Sequence, residues 1–161
     1  MMPINQKGIT SARPNEVGNY IEVFIKQVLS KYGLNPKTPS GKSGKKKSTG
    51  YPDILFFYEE KPSYLECKTY NAQNIDTTQR SFYFSPSSDF KVTYDAHHFL
   101  LAYEMWLSGR QKGKNVYRCK HWKLLSIENL LLDVKYEFNS DNRRIYSDDA
   151  GAVLLAEGNM E

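Results

Sequence analysis

The chain has 161 residues, 40% hydrophobic and 25% charged, with 22 basic against 18 acidic side chains and a net charge of +4. Such a chain can bury one core, and it is neither collagen-like nor low in complexity. No apolar run reaches the roughly 20 residues of a membrane span, the polar stretch 1–14 lacks a secretory leader's apolar segment, and two cysteines, Cys67 and Cys119, do not make a disulfide framework. The expectation is one cytoplasmic domain over 1–161 with no membrane partner.

Val17, Tyr20, Ile21, Phe24, Ile25, Val28, Leu29 and Tyr32 recur at spacings of three and four, which predicts a helix over residues 15–33. Pro14 suits its start and Gly33 its stop. Glu22 borders the apolar stripe, whereas Glu16 lies in the first turn, where an acid favours the helix dipole. Residues 34–50 are rich in Gly, Ser, Pro and Lys and read as a flexible basic loop. Neither Gly41 nor Gly44 completes a GxxxxGK[ST] phosphate loop. Lys45, Lys46 and Lys47 read either as phosphate contacts or as a solvated connection.

Two apolar runs follow, Ile54 to Tyr58 and Tyr64-Leu65, joined by the polar turn Glu59 to Ser63. Together they predict a β-hairpin. Strand residues alternate faces, so Glu66 and Lys68 share one side and Cys67 takes the other. Antiparallel pairing brings Asp53 beside Glu66 and Lys68. Two carboxylates and an amine on rigid strands suit a hard divalent cation and an activated water.

Past the hairpin, Asn71, Gln79 and Arg80 stand in a cluster of amides and hydroxyls, side chains able to read base edges or hold phosphates. The same residue types also build ordinary turns. His97 to Tyr103 reads as a central strand, and Ser108 to Asn115 as a turn into a strand over Val116 to Leu125. His97 and His98 point to opposite faces of a strand and do not jointly chelate one ion. Ser126 suits the N-cap of a helix over Ile127 to Phe138, with Leu130, Leu131 and Val134 inward. The remainder holds an apolar patch at Ala150 to Ala156 and a frayed tail at 157–161. The order predicts an α/β (α+β) mixed sheet flanked by helices.

The pattern Pro52-Asp53 … Glu66-Cys67-Lys68, with 12 residues between the acids, resembles the PD-(D/E)XK nuclease superfamily, and most closely a small type II restriction endonuclease. The helix carrying Glu22 near Gly18 is similar to the superfamily's N-terminal helix. The resemblance implies a restriction-endonuclease-like core and hydrolysis of double-stranded DNA with Mg²⁺, for which Mn²⁺ substitutes. It implies Asp53, Glu66 and the main-chain carbonyl of Cys67 as metal ligands. Lys68 would orient or deprotonate the water, and Glu22 would hold a second metal or position a water. Implied partners are a second copy of the chain, matching a palindromic site, and a DNA methyltransferase encoded nearby. The alternatives are a repair or Holliday-junction nuclease of the same fold, or a non-catalytic nucleic-acid-binding module.

Overall fold

The three-and-four spacing becomes helix α2, Val17–Lys31, which follows a short helix α1, Pro3–Lys7, and strand β1, Ile9–Ser11. The computed structural model describes residues 3–13, 16–75, 82–84, 86–134 and 153. The chain divides into two compact units, Met1–Leu130 and Leu131–Glu161, and the regular elements of the described residues lie in the first. In the second, the described residues 131–134 and 153 carry no regular element. Pro14 lies outside the described residues, as do Ala150 to Ala152, Leu154 to Ala156 and the tail at 157–161.

Helix α2 buries Val17, Ile21 and Ile25, with Phe24 and Leu29 packed against the same core. Tyr20 and Tyr32, expected in the stripe, are instead exposed, so the buried face is narrower than the pattern. Gly33 ends the helix. Its φ of 74° suits glycine, its N–H donates to Ser30, and the Leu34 N–H reaches back to Leu29. That is a Schellman closure, which satisfies the last carbonyls of a helix.

Among the described residues the sheet has five strands, in the order β1, β5 (Lys114–Ser126), β4 (His97–Gln111), β3 (Lys61–Tyr70) and β2 (Ile54–Tyr58). Strands β2 (Ile54–Tyr58) and β3 (Lys61–Tyr70) form the expected hairpin, antiparallel, with Ile54 opposite Leu65. Its turn is tighter than predicted. Glu59 and Glu60 make it alone, both at positive φ, and Lys61 to Ser63 join β3. Positive φ at both central residues matches the right-handed twist of a two-residue hairpin.

Strand β3 runs parallel to β4 (His97–Gln111), which occupies the middle of the sheet and makes it mixed, as expected. Parallel neighbours need a crossover, and residues 71–96 supply it, opening with a 3₁₀ turn at Ala72–Asn74. The turn expected over Ser108 to Asn115 is mostly strand. Strand β4 runs to Gln111, Lys112 and Gly113 turn the chain, and β5 spans Lys114–Ser126. Gly109, which suggested a turn, sits at a register shift in this long hairpin instead.

The structure adds elements at the N-terminus and corrects the expected final helix. The N-terminal stretch is structured: β1 pairs with β5, and the Asn5 amide brackets the main chain of Cys119 with bonds of 2.7 and 2.8 Å. The helix over Ile127 to Phe138 is absent from its described part, 127–134. Strand β5 consumes the proposed cap Ser126. The Ile127 N–H then donates to the His98 carbonyl, and the Glu128 carboxylate meets His97 and the His98 N–H. Pairing with β4 thus holds the chain where helix nucleation would have to begin.

Ile4, Ile9, Ile54, Leu65, Cys67, Tyr103, Met105, Tyr117 and Cys119 meet α2 in one core. Full burial of a side chain such as Ile21 or Ile54 stabilises the fold by about 1.5–3 kcal/mol each. Both cysteines are free and buried. Because Leu65 and Cys67 point into this core, alternation sends Glu66 and Lys68 to the other face of β3.

Candidate active site

The register of the hairpin fixes the site. With Ile54 opposite Leu65, Asp53 falls across from Glu66. The Asp53 carboxylate accepts a hydrogen bond of 2.9 Å from the Cys67 main-chain N–H, which locks one acid to the strand carrying the other. Glu66 is only 5% exposed. One of its oxygens, Oε1, lies 2.6 Å from the Lys68 ammonium, and the other, Oε2, is buried without a hydrogen-bond partner among the described residues.

These groups line a cavity of about 1040 Å³ together with Lys47, Tyr51, Phe84 and Lys91. That lies at the top of the usual range for ligand sites, roughly 300–1,000 Å³, and leaves room for part of a polymer. The electrostatics are those of two crowded acids faced by the lysines of the same cavity. Burial raises the Asp53 pKa, an effect opposed by the Cys67 N–H and reinforced by Glu22. Burial also raises the pKa of Glu66, and the neighbouring Asp53 charge raises it further, while Lys68 pulls it down. Two crowded carboxylates, one with an orphaned oxygen, present a donor set that a small hard cation fits. Mg²⁺ in particular binds through one or two carboxylates and keeps its remaining positions for water and phosphate. Among the described residues no three His, Cys, Asp or Glu side chains cluster as a metal cage.

The other expected residues are distributed unevenly. Glu22 is ion-paired to Lys26 at 2.5 Å, and Lys26 also donates to Thr38. Glu22 acts on Asp53 through its charge. Glu16 accepts from the Ser11 hydroxyl at 2.7 Å, a local structural bond. Of the loop lysines, Lys47 lines the cavity, whereas Lys45 and Lys46 are exposed on the Ser40–Lys46 bridge region.

The 34–50 segment is tied down at both ends. Lys37 and Leu55 exchange main-chain bonds of 2.9 and 2.8 Å. The Ser43 N–H donates to Asp89, and the Lys47 ammonium donates to the Ser87 hydroxyl and the Asp89 carbonyl. Asn71 caps the 3₁₀ turn by accepting from the Gln73 N–H. Gln79 and Arg80 lie outside the described residues.

Sequence reasoning passed over two residues here. The Tyr51 hydroxyl lies 2.5 Å from His98 Nδ1, its ring stacks on the same imidazole, and Phe82 and Phe84 meet it edge-on. His98 therefore holds Tyr51 in the cavity wall. Lys91, 4% exposed, donates to the Gly50 carbonyl at 2.6 Å. The proximity of Tyr51 to Pro52-Asp53 in sequence was a usable signal, but nothing local marked Lys91.

The type II restriction enzyme MjaV of Methanocaldococcus jannaschii is 42% identical over 153 residues, which cover 89% of this chain and 64% of that enzyme. The chain thus spans a little under two thirds of that relative's length. No solved structure matches. The family model of the type II restriction enzyme MjaV matches residues 1–149, and the chain belongs to that family.

Proposed function

We propose that this protein is a Mg²⁺-dependent endodeoxyribonuclease of the PD-(D/E)XK type, cutting double-stranded DNA at a specific sequence. The observation that carries the reading is the Asp53–Glu66 pair, locked by the Cys67 N–H, with the buried Glu66 Oε2 lacking a partner and Lys68 alongside. Membership of a type II restriction enzyme family supports the sequence-specific form of the reaction.

Asp53, Glu66 and the Cys67 carbonyl would hold the cation, with Mn²⁺ as a substitute for Mg²⁺. When bound, it supplies positive charge against the phosphate oxygens and makes water easier to ionise. Lys68, an ammonium held by Glu66, orients the attacking water and offsets charge growing on the phosphate. The water gives up a proton as its oxygen bonds to phosphorus, the bond from phosphorus to the leaving sugar oxygen breaks, and that oxygen takes up a proton from solvent. Glu22 adds to the negative field from an outer position.

Lys45, Lys46 and Lys47 carry the phosphate contacts away from the reacting centre, and Asn71, Gln79 and Arg80 face the DNA beyond it. A two-fold dimer would set two such sites on a palindrome. The cellular setting is the cytoplasm, with a DNA methyltransferase encoded nearby. Among the described residues no helix is long and apolar enough to cross a membrane.

Plasmid digestion tests this reading. With Mg²⁺ the purified protein should give discrete fragments, EDTA should abolish them, and Asp53→Ala should be inactive. Cleavage restricted to branched or mismatched DNA, or none with any divalent metal, would overturn the assignment.

A further inference from the structure

Lys91 and Glu66 are the two charged residues among those described that are buried, and both line the cavity. Lysine is almost never buried without a paired acid. Yet among the described residues the Lys91 ammonium forms no ion pair, and its one hydrogen bond goes to the Gly50 carbonyl. An ammonium has three N–H donors, so two remain beside the cavity. Burial pulls the Lys91 pKa down, while the charges of Asp53, Glu66 and Glu22 hold it up without contact.

A neutral amide or hydroxyl could hold the Gly50 carbonyl without the desolvation cost of a buried cation. The charge itself therefore calls for an anionic counterpart that enters the cavity. Lys47 and Lys68 line the same space, but Lys47 already spends two donors on Ser87 and Asp89 and Lys68 is ion-paired to Glu66, so each has less to offer an incoming anion than Lys91.

We propose that Lys91 is a substrate-binding residue of the active site, whose ammonium, held by Gly50, contacts a DNA phosphate at or beside the scissile bond. The inference rests on the nuclease reading above and adds a cation that the Asp-Glu-Lys pattern does not mark. It is tested with Lys91→Met, which keeps the length of the side chain and removes its charge. Binding to duplex DNA is measured in EDTA between about 50 and 200 mM salt, alongside single-turnover cleavage in Mg²⁺ and thermal melting. A phosphate contact predicts a salt dependence shallower by about one unit of log–log slope and cleavage slower by roughly 10²–10³-fold.

A purely structural lysine would lower the melting temperature and leave the slope unchanged. That result, or cleavage within about threefold of the parent, overturns the inference. If Lys91→Met does not fold, Lys91→Arg takes its place. A parent-like slope with cleavage retained supports the contact, and a reduced slope or lost cleavage with charge present overturns it. Asp53→Ala run in parallel separates the two claims. Its continued activity would sink the nuclease reading itself, whereas an inactive Asp53→Ala beside a parent-like Lys91→Met would sink only this one.

Discussion

Glu66→Gln should yield a protein that is more stable than its parent and inactive. Glu66 is 5% exposed, and taking a carboxylate out of water costs several kcal/mol in a real protein. The compensation is small. The partner Lys68 has a side chain 31% exposed, so their 2.6 Å contact is screened by solvent and returns about 1 kcal/mol. Oε2 recovers no hydrogen bond among the described residues. The amide removes the buried charge at constant volume and leaves the Lys68 ammonium in reach of water. The net gain is about 1–3 kcal/mol, or roughly 3–10 °C in melting temperature for a chain of this size.

The pH dependence follows from the raised Glu66 pKa. The folded state holds the proton more tightly than the unfolded one, so the penalty appears as pH rises above about 4.3 and is complete above the folded value. Melts of the parent in EDTA should therefore fall as pH rises through that window, and those of Glu66→Gln should be flatter. Adding Mg²⁺ should raise the parent's melting temperature and leave the variant's unchanged. A variant that melts below its parent in EDTA at pH 7.5 would mean that Glu66 is held by its ion pair and is not poised for a cation.

Lys68→Ala should abolish cleavage while filter binding to DNA survives, since Lys68 serves the reacting centre and not the bulk of the interface. Ile54→Ala empties a fully buried position next to Asp53 and should cost about 2–5 kcal/mol in chemical denaturation. Lys47→Ala should weaken binding to DNA of any sequence and flatten its salt dependence, as a phosphate contact requires. It should also free the 86–90 segment, which Lys47 now ties down through Ser87 and Asp89, and proteolysis there reads that out.

The parts of this site that were legible in the sequence are the parts with local causes. The two-residue period of β3 separates Glu66 and Lys68 from Cys67, and the hairpin register sets Asp53 opposite Glu66. Neither depends on distant packing. Strand β1, by contrast, is three residues long, too short for any period to show, and exists through its pairing with β5. The final helix was misread because Ser126, Leu130, Leu131 and Val134 satisfy a helical pattern, whereas Ile127 and Glu128 are captured by the start of β4. Lys91 was invisible for the same reason. A lysine's burial is decided by which loops close over it, here the one ending at Gly50.

Incubating the purified protein with phage DNA and Mg²⁺ and sequencing the ends produced tests the site-specific nuclease reading at its source. The ends should share one short sequence motif, and Asp53→Ala should yield no ends at all. Ends scattered without a common motif, or the same motif cut by Asp53→Ala, would contradict that reading.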